Sequence, residues 1–324
     1  LPKKGYIKND DKVLAFARAN EDISNIGAYF NLMQQFNRLA KHTRGGLSFD
    51  THKLYYNKMD MALRFCADEY NLQNIANFAG KHLAAYIIER QSEGSSASTV
   101  DGDLCAIRFY HDQLSTEARH RLPDNMMLRD KYGVSLEPRM FGGVNRRCTW
   151  PEIDRMVELA IRKKRFEISH MIQLGAGMGL RIHETVRLSY DDAAKGIKTG
   201  MLPIKGKGGL ERDVPLRGDI LQLLQAIMLT VPKGAKLFVP EDRKAHQVIQ
   251  SAQSFIINHR DNVVDSAARS LGVNMTFHGL RHLYAYERYH EFIDIGFSPA
   301  AARLKVALLI GHSRDDVTRI YLAD

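Results

Sequence analysis

From Glu21 to Lys41 the apolar residues Ile23, Ile26, Phe30, Met33 and Phe36 recur at spacings of three and four, and Gly45-Gly46 closes the pattern. That period predicts a helix with one buried face. Ser48 is placed to cap a second helix carrying Leu54, Met61, Leu63 and Phe65. A third spans roughly Phe78 to Arg90, and a fourth follows Ser98 with Val100, Leu104, Ile107 and Leu114. Four helices joined by short connections make a small bundle. The polar, basic segment up to about Lys12 is expected to be flexible, and SEGSSAS, Ser92 to Ser98, to be a loop.

Residues 138–148, with Pro138, a Gly pair and Arg146-Arg147, read as an interdomain linker. Directly after it, Thr149-Trp150-Pro151-Glu152 has capping-box spacing with Pro in the first turn, and Ile153, Met156, Val157, Ala160 and Ile161 supply an apolar face. A second domain starts there. Glu167 to Leu188 reads as two helices separated at Gly175 to Gly179, with Arg181 opening the second. Met201 to Lys205 and Leu210 to Pro215 are short extended runs flanking Gly206-Lys207-Gly208-Gly209, a hairpin signal. Helices are predicted at Ile220 to Leu229, at Val248 to Leu271 before Gly272, and from Phe277 to about Phe292 with Thr276 as cap. Another is opened by Ser298-Pro299 and ended by Gly311. The fold class is therefore mainly α (α+β): a helical bundle over 1–137, a linker over 138–148, and a mostly helical domain with a small antiparallel sheet over 149–324. No internal repeat is visible.

Composition adds charge to this picture. The 324 residues carry a net charge of +9, and both parts are basic: 21 Lys/Arg against 17 Asp/Glu over 1–148, and 25 against 20 over 149–324. A spread excess suits a polyanion gripped by two domains better than a single basic tail does. The three cysteines, Cys66, Cys105 and Cys148, are scattered without a CxxC pair. They suggest neither a disulfide framework nor a cysteine zinc site, and fit a reducing cytosol. No apolar run approaches a membrane span, and no signal peptide opens the chain. Leu1 in place of Met points to a trimmed start, with room for a further N-terminal domain ahead of it.

Candidate chemistry gathers in the second domain. In Leu309 to Tyr321, LIGHSRDDVTRIY, His312 and Tyr321 are nine positions apart. On one continuous helix they would face opposite ways. Gly311 and the Ser313-Arg314-Asp315-Asp316 cluster read instead as a helix stop and a fresh cap, a break that brings the two towards one site. Upstream lie Arg181 in GMGLRIHE, Lys207 in the IKGKGGLERDVPL hairpin, and His278 and Arg281 in HGLRH. Taken singly, Arg181 reads as a surface charge, Lys207 as a turn residue, and His278 with His282 as a helix-face pair. That pair lacks the glutamate of an HExxH zinc motif, so no metal is expected. Tyr284, Tyr286 and Tyr289 read as core or surface aromatics.

Taken in order, these residues resemble the tyrosine recombinases, also called phage integrases, whose signature is Arg, Lys, His-x-x-Arg, His or Trp, then Tyr. The resemblance covers essentially 149–324, and the bundle before it looks like the family's core-binding domain. It implies that Tyr321 attacks a DNA phosphodiester to form a 3′-phosphotyrosine, without metal, nucleotide or other cofactor. It also implies that Arg181 and Arg281 clamp the phosphate, with His278 and His312 assisting. Lys207 then serves as general acid for the departing 5′-hydroxyl, with Lys205 as its rival, and Glu184 as a supporting carboxylate. Planar guanidinium forks match phosphate geometry, which is why these residue types belong together. The function implied is a site-specific DNA recombinase in the bacterial cytoplasm, on the nucleoid, integrating or excising a mobile element or prophage. Its partners would be double-stranded DNA sites and further copies of itself, two on each site and four in the synapse, with an accessory directionality factor as a further candidate. Other readings are a Xer-like dimer resolvase, a type IB topoisomerase or telomere resolvase, and a catalytically silent DNA-binding regulator. Two departures stand out: Arg281 to His312 spans 31 positions, and three residues follow Tyr321. They leave the mode of assembly open.

Overall fold

The structure, a computed structural model, describes residues 6–42, 47–115, 117, 119–139, 144–206, 209–265, 274–312 and 316–323. Lys207, Gly208, Gly45-Gly46, Gly272 and the Ser313-Arg314-Asp315 part of the terminal cluster lie outside them. The chain separates into two compact units, Leu1–Met140 and Phe141–Asp324.

In the first unit six helices are described, two more than the periodicity predicts: α1 (Asp10–Ala19), α2 (Ile26–Lys41), α3 (Phe49–Tyr70), α4 (Gly80–Ser92), α5 (Ala97–His111) and α6 (Asn125–Tyr132). α1 replaces part of the segment expected to be flexible. Asn9 caps it by accepting from Lys12 N (3.2 Å), and Val13 and Ala17, one turn apart, are buried. α2 starts later than predicted because the Asn25 side chain accepts from Ala28 N (3.1 Å), although Ile23 before it is still buried. The cap of α5 is Ser96 rather than Ser98, which shortens the loop before it. Two buried carboxylates tie the bundle together. Asp60 receives Lys8 Nζ (2.6 Å) and Tyr29 Oη (2.8 Å), and Asp103 receives Lys58 and Arg90, so neither charge is buried unpaired.

The second unit opens with α7 (Trp150–Arg162), where Thr149 N donates to Glu152 Oε2 (3.0 Å) and Glu152 N to Thr149 Oγ1 (3.4 Å), the predicted capping box. α8 (Phe166–Met178) then runs through Gly175 and Gly177, contrary to the predicted break. Those two glycines are packing positions. A Cβ on Gly175 would lie 2.9 Å from Leu280 Cδ1, and one on Gly177 2.5 Å from Ile220 Cδ1. Only Gly179, at φ 62°, ends the helix. α9 (Ile182–Arg187) follows with Arg181 as its N-cap, then α10 (Tyr190–Thr199), which the hydrophobic pattern misses. β1 (Met201–Lys205) pairs antiparallel with β2 (Glu211–Pro215) from Met201↔Pro215 to Lys205↔Glu211, as the hairpin signal predicts. α11 (Gly218–Met228) and α12 (Ala245–His259) come next. α12 ends at His259, giving way to a 3₁₀ turn at Arg260–Asn262, and the predicted helix end at Leu271 lies outside the described residues. Finally α13 (Phe277–Asp294), α14 (Pro299–Leu309) and a terminal 3₁₀ turn (Asp316–Leu322) close the unit. Tyr284, Ala285, Val306, Ile310 and Tyr321 form a small apolar cluster there, beside the main core of the unit.

Candidate active site

Local structure dictates where the candidate residues fall. The left-handed turn at Gly179 redirects the chain so that Arg181 sits at the mouth of α9. Thr276 caps α13 by accepting from Gly279 N (3.0 Å), which places His278 in its first turn and Arg281 one turn further. α14 stops at Leu309, and Gly311, at φ 66°, turns the backbone away from the helix before His312. The chain re-enters a 3₁₀ turn that carries Tyr321 back. His312 Nε2 and Tyr321 Oη consequently lie 3.1 Å apart, where an unbroken helix would hold them on opposite faces.

Around this pair the guanidiniums converge. Arg281, fully buried, donates Nη1 to Gly179 O (2.7 Å), Nη2 to Ile310 O and Nε to Tyr321 Oη (3.3 Å). Arg181 donates Nη2 to His312 Nε2 (3.1 Å) and Nη1 to Glu184 Oε1 (2.9 Å). A guanidinium nitrogen has no acceptor capacity, so His312 Nε2 is the acceptor of Arg181 and the ring proton sits on Nδ1, with the Tyr321 hydroxyl 3.1 Å from the same nitrogen. The phenol oxygen in turn accepts from Arg281.

Glu184 anchors the cluster. It is buried, 3.8 Å from Arg281 Nη1, and is gripped by both ends of a further guanidinium, Arg212 on β2 (Nη1 to Oε1 3.0 Å, Nη2 to Oε2 2.9 Å). Burial pushes this carboxyl up, but the Arg212 hydrogen bonds and charge, the Arg181 backbone N–H and the Arg281 charge outweigh it and hold it at about 2. Arg281 also moves down, but here burial prevails: it brings the guanidinium to about 10, against the partial relief of Tyr321 and Glu184. The imidazoles are kept neutral. Loss of hydration, then the charges of Arg281 and Arg181, lower His312 to about 4. The same causes, with Arg146 added, lower His278 to about 4 although its side chain reaches the surface. Three guanidiniums about one carboxylate leave an excess of positive charge and of N–H donors, an arrangement that suits a phosphate.

Of the residues predicted from sequence, Arg181, Arg281, His312, Tyr321 and Glu184 are joined by direct contacts, and His278 lies against Tyr321 with ring centroids 5.7 Å apart. Lys207 lies outside the described residues. Its rival Lys205 is exposed at the end of β1, 3.4 Å from Glu211 across the hairpin. Tyr284 packs against Gly179, whose Cβ would lie 2.3 Å from Tyr284 Cδ1, and Tyr286 lies under Arg147 at 3.6 Å, so both rings are engaged elsewhere. Two site residues escape sequence reasoning. Arg212 shares the inward face of β2 with buried Val214, and a charge at an inward strand position is the signal that it has a buried partner. His282, read only as the helical neighbour of His278, is buried with its ring centroid 4.5 Å from that of Tyr321. Desolvation and then the neighbouring His278 and arginines push it down to about 3. Among the described residues no group of three or more His, Cys, Asp or Glu side chains forms a metal site, and no helix is long and apolar enough to cross a membrane.

Comparison with known proteins follows the same division of the chain. The profile of the phage integrase family matches residues 146–324, and that of the phage integrase N-terminal region matches residues 30–115. The chain belongs to the phage integrase family, an enzyme of the tyrosine recombinase class. It is similar to the tyrosine recombinase XerC of Stutzerimonas stutzeri, 23% identical over 304 residues that span 92% of this chain and 90% of the relative. It is also similar to the tyrosine recombinase XerA of Pyrococcus furiosus, 25% identical over 175 residues, 53% of this chain and 55% of the relative. Among solved structures the fold is shared with the XerH site-specific recombinase bound to a palindromic difH substrate (TM-score 0.56, 16% identity, 98% of this chain and 95% of that one). It is shared likewise with a lambda integrase dimer bound to a COC′ core site (TM-score 0.56, 17% identity, 90% and 93%).

Proposed function

We propose that this enzyme is a site-specific DNA recombinase that cuts and rejoins strands through a 3′-phosphotyrosine on Tyr321, and that it integrates or excises a mobile element. The single observation that supports the reading best is the meeting of Tyr321 Oη with His312 Nε2 at 3.1 Å and Arg281 Nε at 3.3 Å. In the proposed step Tyr321 Oη bonds to the scissile phosphorus and the bond from phosphorus to the 5′-oxygen breaks. Neutral His312 takes the phenol proton, and Lys207 protonates the departing 5′-oxygen. Arg181 and Arg281 stabilise the charge that builds on the non-bridging oxygens, with His278 as a further donor. Each such donor is worth about 10²–10³ in rate. The phosphotyrosine conserves the bond energy, so rejoining needs no nucleotide. Unit 1 is proposed to act as the core-binding, DNA-gripping domain and unit 2 as the catalytic domain, with two copies on each duplex site and four in the synapse, working on the nucleoid with a directionality factor as a further partner.

A second reading, resolution of dimers by a Xer-like enzyme, is favoured by the likeness to the XerC relative across 90% of that protein's length. Incubating the enzyme with two differently labelled duplexes from the DNA flanking its own gene tests both. Joined products carrying both labels are expected. Relaxation of supercoils without exchange between duplexes would instead mark a topoisomerase. Recombination between two flanking element ends supports the integrase, and recombination confined to direct repeats of one chromosomal site supports the resolvase.

A further inference from the structure

We infer that Arg212 is a positioning residue that locks the base of the Lys207 hairpin to the phosphate clamp. The inference rests on the proposed role of Lys207 as general acid. Arg212 sits on β2 opposite Ile204, one pair back from the last rung of the hairpin, Lys205↔Glu211. From there its guanidinium reaches two segments that carry site residues, α9 and the turn that leads into His312. Nη1 and Nη2 fork onto Glu184 at 3.0 and 2.9 Å, the same carboxylate that orients Arg181. Nε donates to Leu309 O (2.8 Å), the last residue of α14. The side chain also forms the floor under Gly311, where an added Cβ would lie 2.9 Å from Nη1. Only 8% of the Arg212 side chain is exposed.

A planar fork held on both arms and at Nε has little freedom left, so the strand that bears it is fixed relative to Glu184. The hairpin loop springs from that strand. Without the fork, the strand pairing remains but its tie to Arg181 and to the turn before His312 does not. The strand that leads to the proposed acid would then no longer be set against Glu184, and a misplacement of a reacting group by about 1 Å can cost on the order of 10²-fold.

Sulfur substitution separates this role from simple structural support. In a substrate whose bridging 5′-oxygen is replaced by sulfur, Tyr321 Oη still bonds to phosphorus, but the phosphorus–sulfur bond breaks to release a thiolate. With a thiol pKa of about 8.5, that group leaves without a proton donor. Single-turnover cleavage of nicked oxygen and sulfur duplexes is measured for Arg212→Met, Lys207→Ala and the native chain, with DNA affinity followed in parallel. Arg212→Met is expected to lose at least ~10-fold more on oxygen than on sulfur, a part of the ~10²–10⁴ that a placed general acid supplies, with affinity within a few-fold of native. Equal losses on the two substrates, or no loss, overturn the inference. If Arg212→Met does not fold, Arg212→Lys, which keeps the charge and loses the fork, is read by the same ratio. Lys207→Ala separates the two levels. A large oxygen-to-sulfur difference there with none in the Arg212 variants refutes the positioning role alone, whereas no difference in Lys207→Ala refutes the acid assignment and the inference with it.

Discussion

Replacing Glu184 with glutamine removes one charge and almost no volume from the point where three guanidiniums meet. The carboxylate is held at about 2 against an ordinary 4.5, a gap worth about 3 kcal/mol at ~1.4 kcal/mol for each tenfold change. Its side chain is fully buried, so solvent does not screen this term. Because the folded-state value is depressed, the stabilisation is complete above about 4.5 and is lost as pH falls through about 2. Breaking a buried ion pair from one side typically costs ~3–5 kcal/mol, since the partners stay behind uncompensated. Glu184→Gln is therefore expected to lower the stability of unit 2 by about 3–5 kcal/mol at neutral pH. The assay is denaturant unfolding followed by fluorescence of the single tryptophan, Trp150, which lies in the first turn of α7 and donates to Glu287. The same titration near pH 3 should narrow the difference between the two proteins by more than about 1 kcal/mol, because only the native chain loses the contribution on acidification. A loss under about 1 kcal/mol at neutral pH, or a difference that does not move with pH, would refute the account of this cluster.

Other consequences are equally direct. Arg281→Lys keeps a cation but not the fork that reaches Gly179 O, Ile310 O and Tyr321 Oη at once. Single-turnover cleavage should fall by ~10² or more with DNA affinity little changed, and a loss confined to affinity would contradict the clamp. Gly311→Ala demands a left-handed alanine at φ 66° and presses a methyl onto Arg212. Cleavage should drop at least ~10-fold as His312 and Tyr321 separate, and native activity would show that the turn does not matter. His282, held at about 3 against an ordinary 6.5, resists protonation in the fold. Its contribution is complete above about 6.5 and shrinks as pH falls towards 3, at about 1.4 kcal/mol per pH unit. The native melting temperature should thus decline between pH 6.5 and 4.5, above the window of Glu184, with His278 and His312 contributing alongside His282, and His282→Phe should make that decline shallower; an unchanged slope would remove His282 as a contributor.

Much of the fold is legible in the sequence where local signals agree. Thr149 with Glu152, Ser48, Thr276 and Ser298-Pro299 all cap the helices assigned to them, and the two runs around Gly206 form the hairpin. The failures have a common cause in tertiary packing. Gly175 and Gly177 read as breakers because backbone propensity disfavours them in a helix, yet the close approach of Leu280 and Ile220 requires their missing side chains. α10 contains Gly196 and opens on Asp191-Asp192, so its propensity is poor, and what holds it is the Ser189–Asp192 cap and the packing of Gly196 on Leu202. Within the site, the order of chemical types along the chain was readable, but the partners were not. Nothing in the string LERDVPL states that Arg212, among five charged hairpin residues, finds a carboxylate 28 positions upstream. Nor does helical spacing place the His282 ring on Tyr321.

The central claim is that Tyr321 is the nucleophile. The measurement that tests it most directly is trapping on a nicked duplex whose short fragment diffuses away after cleavage, with the products resolved under denaturing conditions and the modified peptide located by mass spectrometry. The native chain should give a covalent protein–DNA adduct on Tyr321, and Tyr321→Phe, which keeps the ring among His278, His282 and His312 but lacks the hydroxyl, should give none. An adduct that persists in Tyr321→Phe, or one mapped to another residue of the native chain, would contradict it.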